Sequence, residues 1–520
     1  MHPARYDYVI VGGGAAGCVL ANRLSADPAV SVVLLEAGPS HLGSAAILDV
    51  GGWVSLLGGE FDDSHPMAAT DRVAGRTIPL PRGRVLGGST SINAMLWYRG
   101  HPSDYDAWEA AGATGWNWES LLPCFRRSED WEGGASEYRG AGGPMRIERS
   151  ADPHPVAAAL IEGAAELGLP VTDDPNSFDD AFGNEGATLS NMNVRRRPDG
   201  VQERWSAARG YLEPVLGRPN LTVLTGSPVH RVLFEGTRAV GVEHLVDGTT
   251  RTTRADRVVL SAGALETPRL LMLSGIGDPD RLRRLGIEAR VASPGVGDRY
   301  ADHPLLMGMV FRAREPLAPR RDNGGGSMLN WRSSFAGAGP DLHAFCNQGP
   351  HAGPAVRDVY DVSGDVFSVS PGLMGSRSTG WVRLTSADPR APLEVQPNYL
   401  AEPADLDALV ESVGTIFDLV ATSGYARLSA GPAAPDHRLT TRAETVEFVR
   451  RSVDTFFHSA GTAAMGTDER SVVGPDLAVH GVEGLFVCDA SVFPSLPTSN
   501  TQAPVIAVAE RAADLFLARP

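Results

Sequence analysis

Apolar positions change period along the chain, and the changes mark out the elements. Tyr6–Val11 is a β-rich apolar run. The following segment, AAGCVLANRLSA, has helical spacing, with Cys18, Leu20, Ala21 and Leu24 available to one face. VSVVLLE, at 30–36, is a continuous apolar run of the kind buried on both faces in a parallel sheet. The spacing therefore predicts strand, turn, helix and strand over 6–38. Residues 39–82 break the pattern. They are rich in Gly and Pro, with GGWVSLLGGEF and IPLPRG, and are expected to be irregular. A loop of this length is commonly a lid or a cofactor cover, the alternative being a tolerated surface insertion.

Beyond it, residues 83–130 hold a glycine-rich turn and an aromatic stretch, and 154–168 has helical spacing. NLTVLTGSPVHRVLFEGTRAVGVEHL, at 220–245, alternates and turns like a small antiparallel group, and ADRVVLSAG is another buried strand. From 300 to 440 the character shifts. MGMVFRA, DVFSVSPGLM and GWVRLTS alternate as strands of an antiparallel sheet would, which predicts a second domain. Helices are expected at 404–421 and 442–453. GLFVCDAS and a last helix at 503–518 then return to the first domain. The expectation is an α/β chain, α+β overall. Segments 1–150, 201–300 and 456–520 build the first domain, and 151–200 and 301–455 the second.

Length and composition change this picture little. The 520 residues allow three or four units, or equally one site between two large domains. A charged fraction of 21% is that of a globular protein and argues against disorder. A net charge of −16 repels phosphate, so neither nucleic acid nor anionic lipid is an expected partner. Cys18, Cys124, Cys346 and Cys488 are scattered, without a Cys-x-x-Cys pair, so no disulfide framework and no metal site are expected. Few residues precede the first strand, and no charge-free apolar run reaches about 18 residues, so a leader and a membrane span are not expected. A cytoplasmic protein is the resulting expectation.

Five places are candidates for chemistry. Gly12-Gly13-Gly14-Ala15-Ala16-Gly17 fits G-x-G-x-x-G, follows a strand, opens a helix and precedes a strand ending in Glu36. That is the dinucleotide context: Gly12, Gly14 and Gly17 allow close approach of backbone to a pyrophosphate, and the helix start favours its charge. Glu36 can bond a ribose diol and would repel a 2′-phosphate, which favours FAD or NAD over NADP. A bare glycine turn is the bland alternative. Gly83 to Asn93 is a second glycine-rich turn that could also approach a ligand or be only a tight loop. Gly263-Ala264-Leu265-Glu266-Thr267-Pro268 reads locally as a strand-to-helix turn that packs. His458, after Phe456 and Phe457, is placed to be a neutral proton acceptor in apolar surroundings, or a structural histidine. Asn500 precedes a helix start whose partial positive charge suits a reduced, anionic flavin, or it caps that helix.

Taken together these residues resemble one family, the glucose–methanol–choline (GMC) oxidoreductases. GRVLGGSTSINAMLWYRGHPSDYDAW is similar to its first signature and GALETPRLLMLSGIG to its second. RWSAARGYL, GVGDRYADHP, VCDASVFP and NTQAPVIAVAERAADL are similar to further family segments, in family order from Tyr6 to about Leu517. The resemblance implies a Rossmann-like FAD-binding domain and a second domain on an antiparallel sheet. It implies His458 as catalytic base with Asn500 as its partner. The implied cofactor contacts are Gly12, Gly14, Ala15, Ala16, Gly17, Glu36, Ala37, Arg84, Gly87, Gly88, Ser89, Asn93, Ala94, Met95, Val229, Ala262, Gly263, Asp489, Ala490, Asn500, Thr501 and Gln502. His458 would take the hydroxyl proton, and a hydride would pass to the flavin. The partners are then a small-molecule alcohol and oxygen or another electron acceptor.

Two departures stand out. Ala464 occupies a position where many members carry a basic residue. Ile92 stands nearest the position through which some members attach FAD to a histidine, so non-covalent FAD is expected. STGWVRL and PTSNTQAP resemble bacterial members that oxidise aromatic or furanic primary alcohols, with choline-type members next. The alternatives are a dehydrogenase with a non-oxygen acceptor, an FAD-containing hydroxynitrile lyase, and a flavoprotein that binds without turnover.

Overall fold

Val9, Ile10, Val32–Leu34 and Val258–Leu260 expose no surface, because the sheet they form is covered on both faces. In the computed structural model, which describes residues 5–150, 153–178, 183–319 and 322–519, this sheet has seven strands. Leu221–Leu224, Val32–Leu35, Tyr6–Val11, the end of Thr249–Leu260 and Leu485–Val487 run parallel in that order. Tyr8 pairs with Val32, and Val9 with both Val33 and Val258. The first half of Thr249–Leu260 continues outward into an antiparallel extension with Arg238–Val246 and Val229–Glu235. The sequence reading had placed 221–224 in that antiparallel group. It is instead a parallel edge strand, a distinction that four residues of alternation do not encode.

Leu485–Val487 joins beside Val258–Leu260, so the chain does return to its first sheet. The last helix, Gln502–Leu517, lies against the first, Ala15–Leu24, and against Trp118–Ser128. The contact has a polar centre. Glu510, with no exposed side-chain surface, pairs with Arg23 at 2.7 Å and Arg127 at 2.8 Å and accepts from the Tyr211 hydroxyl at 2.6 Å. Every lone pair of a buried carboxylate needs such a donor.

The second large sheet has eight strands, and its pairings are antiparallel. Its main order is Ser429–Ala434, Val310–Ala313, Val366–Leu373, Leu342–Asn347, Ser327–Trp331 and Gly186–Leu189, with Pro304–Leu306 bridging to Val453–Thr455. Helices Pro155–Glu166 and Pro403–Ala421 cover it. The expected helices are therefore present to within a residue or two. Residues 39–82 are less irregular than expected. His65–Met67 and Ile78–Leu80 join Gly380–Leu384, Leu393–Gln396 and Asp298–Tyr300 in a five-stranded sheet. GWVRL thus belongs there and not to the eight-stranded sheet. Strands of three residues centred on Pro66 and Pro79, which lack an N–H donor, leave no alternation to read. The four cysteines are buried and unpaired. No helix among the described residues is long and apolar enough to cross a membrane.

Candidate active site

Each glycine turn is shaped by what it touches. Gly12 has φ +101°, and a Cβ there would stand 2.4 Å from the Ser261 carbonyl oxygen. A Cβ on Gly88, at φ +54°, would stand 2.8 Å from Gly14 Cα. The two turns are pressed together, and the Gly87 N–H donates to Gly13 O at 2.7 Å. Glu36, at the end of its strand, accepts the Gly13 N–H and the Gly38 N–H, each at 2.7 Å. Burial pushes its carboxyl up, and these donors oppose the shift. Asp489 accepts the Gly263 N–H at 2.8 Å, the Thr267 hydroxyl at 2.6 Å and the Ser491 N–H at 2.8 Å, tying the second signature to the returning strand.

These turns border one cavity of about 760 Å³ that runs on to the second sheet. Every site residue expected from the sequence borders it except Gly17, Gly87 and Met95. Gly17 instead lets the helix approach the first turn: a Cβ there would meet Gly12 O at 1.9 Å. Gly87 serves the contact with Gly13. Met95 points into a cluster with Val50, Trp53, Met192 and Val194. The glycine wall can take a diphosphate, Glu36 and Val229 flank one end, and His458, Asn500, Thr501 and Gln502 lie at the other. Ser261 Oγ and Gln502 Nε2 are buried without a partner, which fits a polar occupant. Ile92 borders the cavity but offers only hydrocarbon. Ala464 is buried and does not reach it.

His458 follows Val453–Thr455, the last strand of the second sheet. Its Nε2 lies 3.2 Å from Asn500 Nδ2 and its Nδ1 lies 2.9 Å from His303 Nδ1. With the Asn500 amide donating, Nε2 carries the lone pair and Nδ1–H donates to His303. Both contacts are satisfied by that one tautomer. Burial, then the neighbouring His303, Arg82 and His343, hold the His458 imidazole well below its ordinary pKa and so neutral. His303 and His343 are pushed down to about 3, mainly by burial. The surrounding wall is apolar and aromatic, formed by Leu96, Leu305, Phe345 and Phe456. The Phe345 and Phe456 rings stack at 5.7 Å, and Phe456 lies 4.7 Å from the His458 ring.

Sequence reasoning missed the groups that hold His458. The Asp302 carboxylate accepts the His458 N–H at 2.7 Å and the hydroxyls of Thr455 and Tyr399 at 2.5 Å. Asp302 and His303 stand in the segment GVGDRYADHP, where the adjacent acid and histidine were the available signal. Arg82, at the end of the 39–82 segment, donates to Phe457 O at 2.7 Å.

Comparison with known proteins identifies the family. Family models described as GMC oxidoreductase match residues 6–305 and 376–509. Human mitochondrial choline dehydrogenase is 37% identical over 99% of this chain and 90% of its own length. Choline oxidase of Arthrobacter globiformis is 34% identical over 98% and 94%. The crystal structure of pyridoxine 4-oxidase from Mesorbium loti superposes with a TM-score of 0.93 at 35% identity, covering 99% of this chain and all of that one. With a Rossmann-like FAD-binding domain, a second sheet-based domain and a cavity between them, the chain belongs to the GMC oxidoreductases, FAD-dependent enzymes that oxidise CH–OH donors and pass the electrons to an acceptor.

Proposed function

We propose that this enzyme oxidises a neutral primary alcohol, carried on an aromatic or furanic ring, to the aldehyde, with oxygen as acceptor and hydrogen peroxide as product. The observation that carries the reading is the wall beside His458 and Asn500. It is built of Phe345, Phe456, Leu96 and Leu305. The carboxylates on the cavity are engaged or lie elsewhere. Glu36 and Asp489 hold backbone N–H groups, Glu266 pairs with Arg269 at 2.9 Å, and Asp63 lies beside His65 and Glu266. A flat neutral ring gains from the stacked phenylalanines, whereas a quaternary ammonium would find no facing carboxylate there among the described residues.

The residues present fit FAD. Gly12, Gly14, Ala15 and Ala16 would hold the pyrophosphate, Glu36 the ribose and Val229 the adenine end. Asp489, Ala490, Thr501 and Gln502 would border the remainder. Bound without a covalent bond, since Ile92 offers no nucleophile, the flavin supplies the hydride acceptor. His458 Nε2 takes the hydroxyl proton, and its displaced hydrogen-bond partner, the Asn500 amide, donates to the alcohol oxygen and fixes its position. The hydrogen on the carbinol carbon then leaves with its electron pair, and the C–O bond becomes a carbonyl. Oxygen receives that pair, and two protons complete the peroxide. His458 returns to its neutral form by giving up its proton, and burial favours that return.

The test is anaerobic mixing of the yellow protein with benzyl-type, furanic and choline-type alcohols, followed by air. Bleaching by ring alcohols, with colour and peroxide returning in air, is expected. A second reading, a choline-type enzyme or a dehydrogenase with another acceptor, is favoured by the names of the relatives 37% and 34% identical. Bleaching by choline alone would establish its substrate, and bleaching that persists in air its acceptor. No bleaching by any of these alcohols would move the lyase reading, or an untested substrate, to the front.

A further inference from the structure

The backbone that carries His458 is held in an unusual way. Phe457, immediately before it, has φ +66°, in the left-handed region that a bulky non-glycine side chain rarely adopts. The peptide group between Phe457 and His458 is gripped at both ends by side chains of opposite charge, the half-buried Arg82 and the buried Asp302. Arg82 donates to its carbonyl oxygen at 2.7 Å, and Asp302 accepts its N–H at 2.7 Å. The neighbouring groups are held as well. The Phe457 N–H donates to Thr455 Oγ1 at 2.7 Å, and the Phe456 N–H to His303 O at 2.9 Å. The Thr455 hydroxyl in turn donates to Asp302. One peptide plane therefore has its orientation fixed from two sides, and the imidazole leaves the chain directly after it.

The two gripping residues come from different parts of the molecule. Asp302 lies between the strands Asp298–Tyr300 and Pro304–Leu306. Arg82 follows the strand Ile78–Leu80 and directly precedes Gly83 and Arg84, which border the cofactor end of the cavity. Gly83 has no room for a side chain: a Cβ there would stand 2.4 Å from the Gly88 carbonyl. The Arg82 backbone is thus anchored to the second glycine turn, while its guanidinium holds the turn that carries the base.

We propose that Arg82 and Asp302 are positioning residues that clamp the Phe457–His458 peptide in its left-handed turn and so aim the His458 imidazole into the cavity. The clamp links the cofactor-cradling turn to the base, so the two are set relative to each other by one short chain of bonds. The inference rests on His458 being the base. Its physical content is that the turn is held against a preference of the chain: a phenylalanine left to itself would move out of the left-handed region and carry the imidazole with it.

That content gives a test which a merely structural arginine would not meet. Arg82→Met is made in the native background and in Phe457→Gly, since glycine adopts φ near +60° without a steric cost. Flavin content and the anaerobic rate of flavin reduction are measured in all four proteins. Arg82→Met is expected to retain FAD and to slow reduction about 10- to 100-fold, the scale of a base displaced by an ångström. In the Phe457→Gly background the same substitution is expected to cost several-fold less, because the turn no longer needs holding. An equal loss in both backgrounds would mean that Arg82 acts by its charge alone and would overturn the clamp, as would no loss at all. If Arg82→Met does not yield FAD-bound protein, Arg82→Lys goes through the same comparison, with the same two outcomes deciding. His458→Ala, run in parallel, separates the two claims. Normal reduction in His458→Ala removes the base itself, whereas slow reduction there with normal reduction in Arg82→Met removes only the clamp.

Discussion

Removing the imidazole of His458 is the most direct perturbation of the proposed chemistry. In His458→Ala the backbone N–H that Asp302 accepts is unchanged, so the turn stays held and only the ring is lost. Beside the vacated space stand the Asn500 amide, which is not basic, and the hydrocarbon of Phe456. His303 faces the vacated space through Nδ1, but with its pKa pushed down to about 3 it is a poor proton acceptor. General bases contribute roughly 10²–10⁴-fold, or about 3–5 kcal/mol of barrier. With neither neighbour able to take its place, a loss of about 10³–10⁴-fold is expected. The assay is anaerobic stopped-flow loss of the oxidised flavin band, at matched FAD occupancy. A rate within a few-fold of the native enzyme would refute the assignment. The native pH profile supplies a second check. The neutral imidazole is the active form, and a depressed pKa moves its protonation to lower pH. Reduction should therefore not fall as pH drops from 8 through 6.5. An acid limb near 6.5 would contradict the burial argument.

Other expectations follow from the same geometry. Glu36→Ala leaves two buried N–H groups, of Gly13 and Gly38, without an acceptor, at about 1–3 kcal/mol each. Its FAD should dissociate on dilution and the apoprotein should melt earlier; full occupancy at low flavin concentration would refute this. Acid precipitation should leave the FAD in the supernatant, and a yellow pellet would refute non-covalent binding. His41, at about 4, and His303 and His343, at about 3, are held neutral mainly by burial. Their folded pKa values lie below the unfolded value, so their stabilisation is complete above about 6.5 and is lost as pH falls. Each forfeits about 2 kcal/mol by pH 5. Urea unfolding of the holoenzyme should show that decline, and a flat profile from pH 8 to 5 would exclude it.

Much of the first domain was legible in the chain, because its strands are buried on both faces and read as unbroken apolar runs. The helix at 155–166 and the last helix were equally clear from their spacing. Leu221–Leu224 and the strands around Pro66 and Pro79 were not, since an edge strand or a three-residue strand carries too few side chains to set a period. The cofactor wall was legible because glycine appears where backbone must approach backbone. The proposed base, His458, was legible only through the family pattern: a lone histidine has no local mark of function. Its holders left at most the adjacent acid and histidine of GVGDRYADHP as a signal, and nothing local tied them to His458. Arg82 lies 376 residues from His458 along the chain and Asp302 lies 156, and only the fold brings them to one peptide group.

The return of the chain to its first sheet has a consequence for how the enzyme comes into being. Leu485–Val487 and the helix Gln502–Leu517 are made long after the strand that begins at Tyr6, yet they complete its sheet and bury Glu510 against Arg23. During synthesis the first strands and helix wait for partners that emerge nearly 500 residues later. Until then the cavity lacks Asp489, Asn500 and Gln502, and a nascent chain has no finished place for its flavin. Such non-local pairing is slow and leaves apolar strand edges open while it is awaited. Cofactor uptake is thus tied to the synthesis of these late segments, and yellow colour reports a chain that has reached them rather than a folded half.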